Sequence, residues 1–217
     1  MGDPGAPQAA PGGGAVNPAR SQEPRFYDEG KAKAYRNRSP ARKAAEENLV
    51  RRILSNVPPG AALDVPCGEG RMLGLLEEMG FRPFGLDFSP GMLRLAGGGI
   101  RARAEALPFR DRSFHLVLCH RFLHHLPPSG QDILIREIAR VAEGWILVSF
   151  FHPVSLHGLK RRIRLALSRK PGVRHTTLPA RLEARLGAEG FRPRRYLAQA
   201  PYLREYWLAL FERDRKS

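Results

Sequence analysis

ALDVPCGEGRMLG, residues 62–74, starts as a short apolar run, ends that run in an acid and then turns through closely spaced glycines. A buried strand accounts for Ala62 and Leu63. It does not account for Asp64, Gly68 and Gly70. A carboxylate at a strand end, followed by residues without a Cβ, describes backbone kept open for something to lie against it.

The stretch sits at the head of a regular alternation. Apolar runs that read as strands fall at 61–65, 82–87, 100–103, 114–119 and 145–151, and helical patterns fall at 70–79, 90–97 and 130–142. In the last helix Leu134, Ile138 and Val141 line one face. Ser89-Pro90 marks a helix start, and Ser39-Pro40 marks an earlier one near Ala41 to Asn56, where Ala45, Leu49 and Ile53 recur at spacing four. Ile146, Leu147 and Val148 run together without polar alternation, which suits a strand covered on both faces. After Phe151 comes a segment with seven Lys or Arg between Lys160 and Arg174, then a helix near 178–189. RPRRYLAQA and REYWLALFER read as two last strands, an antiparallel pair at a sheet edge. Strand alternating with helix predicts an α/β fold, doubly wound around a mostly parallel sheet.

In such a sheet ligands bind beyond the carboxyl ends of the strands, where the strand order reverses. The turn after Asp64 supplies that place. Asp87 ends the second strand, 23 residues after Asp64, and an acid there is placed to accept hydrogen bonds from both hydroxyls of an adenosine ribose. The glycines Gly68, Gly70 and Gly74 give G-x-G-x-x-x-G, not the dinucleotide pattern G-x-G-x-x-G. An acid four residues before the first glycine would also repel a pyrophosphate, whereas it would attract a cation. The expected ligand therefore has an adenosine end and a positively charged end, as S-adenosylmethionine does.

Four stretches then carry a resemblance: LDVPCGEG, FGLDFSPGML, EALPFRDRSFHLVLCHRFLHHL and LIREIARV. In this order and spacing, residues from about 61 to 151 resemble the class I S-adenosylmethionine-dependent methyltransferases, most of all the ubiquinone/menaquinone-biosynthesis type. The resemblance implies a Rossmann-like sheet of seven strands with the last two as an antiparallel hairpin. It places Asp64 and the turn Pro66, Cys67, Gly68 and Gly70 near the methionine end of the cofactor. It places Asp87 at the ribose, with Phe88 beside it, and Ala104, Glu105 and Ala106 near adenine. His120 would face the methionine portion, and Tyr27 and Tyr35 would form a lid. Two departures stand out. Pro66 replaces the first glycine of the turn and removes an amide donor. Arg103 stands where an acid commonly receives the adenine amino group, which an arginine cannot accept.

Methyl transfer needs alignment and exclusion of water, and a general base only where the acceptor must lose a proton. His120 and His152 are the candidates for that base. His120, His124 and His125 fall within six residues, but adjacent histidines usually diverge, so no metal site is expected. A small-molecule acceptor is expected, with lipid and quinone precursors among the candidates. A tRNA-modifying methyltransferase, a non-catalytic S-adenosylmethionine-binding protein and an NAD-dependent oxidoreductase are the rival readings.

The 217 residues carry 36 Lys and Arg against 21 Asp and Glu, a formal charge of +15. That favours anionic partners, although Arg, Pro, Gly and Ala rise together as they do in GC-rich genomes. Within 159–174, Leu159, Ile163 and Leu167 recur beside basic residues. The segment reads as a solvated face, as an amphipathic contact with an anionic membrane surface or as a contact with RNA. No apolar run reaches the roughly 18 residues of a membrane span, and no signal peptide is evident. Two cysteines, Cys67 and Cys119, make no disulfide framework and fit a reducing compartment; a cytoplasmic location is the expectation. Residues 1–24 read as a Gly/Pro/Ala-rich disordered tail, and 25–217 as one domain with a basic insertion at about 153–176.

Overall fold

Seven strands form one sheet in the order β3-β2-β1-β4-β5-β7-β6. The computed structural model describes residues 39–155, 175–201 and 204–214. The expected tail, Tyr27, Tyr35 and the basic stretch from Lys160 to Arg174 lie outside the described residues. The strands are β1 (Ala61–Asp64), β2 (Arg82–Asp87), β3 (Ile100–Arg101), β4 (Phe114–Cys119), β5 (Ala142–Phe151), β6 (Phe191–Ala198) and β7 (Tyr206–Arg213). The helices are α1 (Pro40–Leu54), α2 (Arg71–Glu78), α3 (Pro90–Leu95), α4 (Pro128–Val141) and α5 (Pro179–Ala188). The first five strands pair in parallel. β7 runs antiparallel between β5 and β6, closing the sheet with the expected hairpin.

Burial explains why the central strands form. Ile146, Leu147 and Val148 of β5 are fully buried, as are Leu116, Val117 and Leu118 of β4. One apolar cluster covers one face and takes in Leu134, Ile138 and Val141 of α4; the other cluster takes in Leu49, Val50, Ile53 and Leu54 of α1. At about 25 cal/mol per Å² of apolar area removed from water, each such Leu or Ile contributes roughly 1.5–3 kcal/mol.

Three local readings are corrected. β3 has two residues rather than four, because the chain turns at Arg103, whose carbonyl accepts from the Ala106 amide at 3.1 Å. β5 begins at Ala142, directly out of α4, where the Arg213 guanidinium donates to the carbonyls of Ala139 and Ala142 at 2.8 Å each. The buried face of α1 includes Glu46, not Ala45. Ser89 caps α3, its Oγ accepting from the amide of Met92 at 3.3 Å, whereas the Ser39 side chain makes no such bond and only its carbonyl accepts from Arg42 and Lys43.

Strand order reverses between β1 and β4. The chain leaves β1 toward β2 and β3 on one side and leaves β4 toward β5 on the other. The carboxyl ends of β1 and β4 therefore flank an open crevice.

Candidate active site

A cavity of about 270 Å³ fills that crevice. Its floor is the turn after β1. The amide of Val65 donates to the Leu118 carbonyl at 2.9 Å and that of Cys67 to the Leu86 carbonyl at 2.8 Å, so the turn is pinned to β4 and β2. The Val65–Pro66 peptide is cis. Gly68 then adopts φ 56, and a Cβ built there would meet no atom within 4 Å, so it faces open space at the cavity wall. Gly70, at φ 79, has a different reason to be glycine. Its Cβ would lie 2.9 Å from Ala96 after α3, and it does not line the cavity. The second glycine of the turn serves packing, not ligand approach.

Asp64 lines the cavity at 1% exposure, and among the described residues neither carboxylate oxygen has a hydrogen-bond partner. Burial pushes its carboxyl well above the usual range; the Asp87 charge adds to the rise and Arg71 opposes it. Asp87 is organised differently. Its Oδ2 accepts from the Gly68 amide at 2.9 Å and its Oδ1 from the Ser89 amide at 2.8 Å. Burial raises its carboxyl too, against the restraining amides of Ser89, Gly68 and Phe88. One acid is thus without a donor and the other is locked to the turn.

Phe88, 41% exposed, lines the cavity mouth with the guanidiniums of Arg101 and Arg103 at 5.6 and 5.3 Å from its ring centre. Ala104 and Glu105 line the same wall; Ala106 does not. The segment is anchored from α4, where Glu137 accepts from the Leu107 amide at 2.7 Å and Arg140 donates to the Leu107 carbonyl at 2.9 Å.

His120 lines the cavity just past β4, its Nε2 2.7 Å from the Tyr206 hydroxyl. Burial, then the charges of Arg71 and Arg121, hold its pKa well below the ordinary imidazole value. It is therefore a neutral hydrogen-bonding group and a poor receiver of a proton. His152 is not brought to the cavity. Its ring stacks on Trp207 at 5.0 Å, and its Nδ1 accepts from the Val154 amide at 3.1 Å, which turns it aside. Of the adjacent pair, His124 is buried against Phe151 at 4.1 Å, while His125 lines the cavity. Their rings stay 4.1 Å apart and do not diverge as expected. Among the described residues no group of His, Cys, Asp and Glu has the arrangement of a metal site. Cys67 and Cys119 are buried and free.

Arg71 and Arg121 also line the cavity, and sequence reasoning missed both. Arg121 donates to Glu46 Oε1 at 2.6 Å and Arg71 to Glu46 Oε2 at 2.8 Å. Arg71 reaches Glu47 at 3.1 Å as well. This ion network ties α1 to the site. An acid on the buried stripe of α1 was the available signal; nothing in the sequence marks Arg121.

Comparison with known proteins agrees with this geometry. Residues 63–148, from β1 through most of β5, match the family model described as a methyltransferase domain. A curated relative from Encephalitozoon cuniculi, described as a candidate methyltransferase, is 34% identical over 125 residues, 54% of this chain and 55% of its own. The chain thus spans about half the length of that relative. The fold is shared with solved structures of methyltransferases. Magnesium protoporphyrin IX methyltransferase from Synechocystis PCC 6803, with bound SAH, superposes with TM-score 0.68 at 18% identity, over 79% of this chain and 84% of that one. A SAM-dependent methyltransferase from Archaeoglobus fulgidus does so with TM-score 0.63 at 19% identity, over 79% and 94%. These structures share the Rossmann-like fold, and nothing in them distinguishes the ubiquinone/menaquinone type.

Proposed function

We propose that the protein transfers a methyl group from S-adenosylmethionine to a small-molecule acceptor. The observation that carries this reading is Asp64, a buried carboxylate without a donor among the described residues, in a cavity where a second aspartate, Asp87, is fixed by backbone amides. The residues fit the cofactor. Asp64 suits its ammonium, Gly68 leaves room for its chain, Asp87 retains lone pairs for ribose hydroxyls, and Phe88 offers a face for adenine. When bound, S-adenosylmethionine supplies an activated methyl carbon.

The chain's own part is then binding and alignment. The turn from Pro66 to Gly68 sets the position of the amino-acid end, and Asp87 sets the ribose. His120, neutral and fixed by Tyr206, offers a hydrogen bond at the inner wall without adding charge beside a cationic ligand. Phe122, His125 and Leu126, after β4, line the cavity beside it and form a partly apolar wall against which an acceptor can exclude water.

A neighbour of the same fold is named for a porphyrin substrate, which supports a small-molecule acceptor. The class is tested by incubating the protein with methyl-labelled S-adenosylmethionine and a cell extract, then separating small molecules from RNA and protein. Label in the small-molecule fraction is the expected result. Label confined to RNA or protein overturns the acceptor class.

A further inference from the structure

Arg121 follows His120 at φ 56, a left-handed conformation that residues with a Cβ adopt rarely and at a cost. The strain is held in place. Its amide donates to Ser149 Oγ of β5, and its guanidinium, 5% exposed, is bonded by the equally buried Glu46 of α1. Arg121, so held, lines the cavity with its side chain buried. Arg71, on the same Glu46 carboxylate, lines that cavity too. Arg71, His120, Arg121 and Asp64 all line this one cavity, and among the described residues the Asp64 carboxylate has no hydrogen-bond partner, so two cations and an unsatisfied anion share it. An acceptor for a cation beside donors for an anion matches an amino acid zwitterion.

We propose that Arg121 is a binding residue for the carboxylate of the cofactor's amino-acid end, with Asp64 taking the ammonium. This rests on the methyltransferase reading of the cavity. A guanidinium suits the task because its planar fork matches a carboxylate and cannot lose its charge. Glu46 holds the guanidinium from behind, so the fork is oriented before ligand arrives.

Calorimetric titration tests this with S-adenosylhomocysteine and its decarboxylated analogue, which differ in the carboxylate alone. The wild-type protein should prefer S-adenosylhomocysteine by about tenfold or more, the size expected for a hydrogen bond to a charged group. Arg121→Met should bind S-adenosylhomocysteine about ten- to hundredfold more weakly and the analogue as tightly as wild type. Arg121→Lys, which keeps charge without the fork, should fall between and guards against a variant that merely fails to fold. Equal weakening of both ligands assigns Arg121 a structural role and overturns the proposal, as does unchanged preference in both variants. Failure of wild type to bind either ligand overturns the methyltransferase reading and this inference with it.

Discussion

The Gly68 amide donates to Asp87 Oδ2 at 2.9 Å, so the turn after β1 and the acid ending β2 are one unit. Removing the carboxylate both deletes the ribose acceptor and frees the turn. Asp87→Ala should therefore weaken S-adenosylhomocysteine binding by about a hundredfold, more than loss of one neutral hydrogen bond would. Asp87→Asn, which retains one acceptor, should lose less. Isothermal titration of both variants checks the order.

The two glycines of the turn separate stability from binding. Gly70→Ala should destabilise the protein by about 2 kcal/mol or more, because positive φ is joined by a clash with Ala96 backbone. Gly68→Ala meets no protein atom and should cost only about 1 kcal/mol in conformational strain. Its methyl group would project at the cavity wall and reduce ligand affinity. Urea denaturation and ligand titration on the two variants should give opposite rankings.

Asp64 is expected to trade stability for binding. Its folded pKa is raised above the unfolded value near 3.8, so the folded state holds its proton more tightly. As pH rises through the window between the two values, the unfolded state ionises first and stability falls. Asp64→Asn should remove that loss and stabilise the ligand-free protein at pH 7 by about 1–3 kcal/mol, while abolishing the preference for a cationic ligand. Thermal denaturation against pH, wild type beside variant, reads the difference; a less stable Asn variant would contradict it.

Glu46 neutralises two guanidiniums at once. Glu46→Ala leaves Arg71 and Arg121 buried together and should cost about 3–5 kcal/mol, a fall in melting temperature of roughly 6–20 °C at about 2–4 °C per kcal/mol. Arg121→Met leaves Glu46 paired with Arg71 and should cost less. Differential scanning calorimetry would compare them, and equal losses would contradict the shared-carboxylate account.

Most of the architecture was legible because its signals are local. β4 and β5 are apolar runs bounded by turn residues, and Ser89-Pro90 announces α3. Asp64 and Asp87 were legible as acids at strand ends. What escaped depends on contacts distant in the chain. Glu46 falls on the buried stripe of α1, but what it serves shows only when Arg71 and Arg121, 25 and 75 residues away, arrive on it. Arg121 takes its direction from a left-handed backbone held by Ser149, 28 residues on. Gly68 and Gly70 look alike in sequence, and only the fold sets Ala96 against one of them. His152 was a candidate base by its residue type, but its ring stacks on Trp207 of β7 and it does not line the cavity.

The central claim is a cavity shaped for S-adenosylmethionine, and calorimetric titration tests it most directly. S-adenosylmethionine, S-adenosylhomocysteine and NAD would each be titrated into wild type and Asp87→Ala. The account predicts micromolar binding of the two sulfur compounds, weakened about a hundredfold in the variant, and no binding of NAD. Preference for NAD, or undiminished binding of the sulfur compounds by Asp87→Ala, would contradict it.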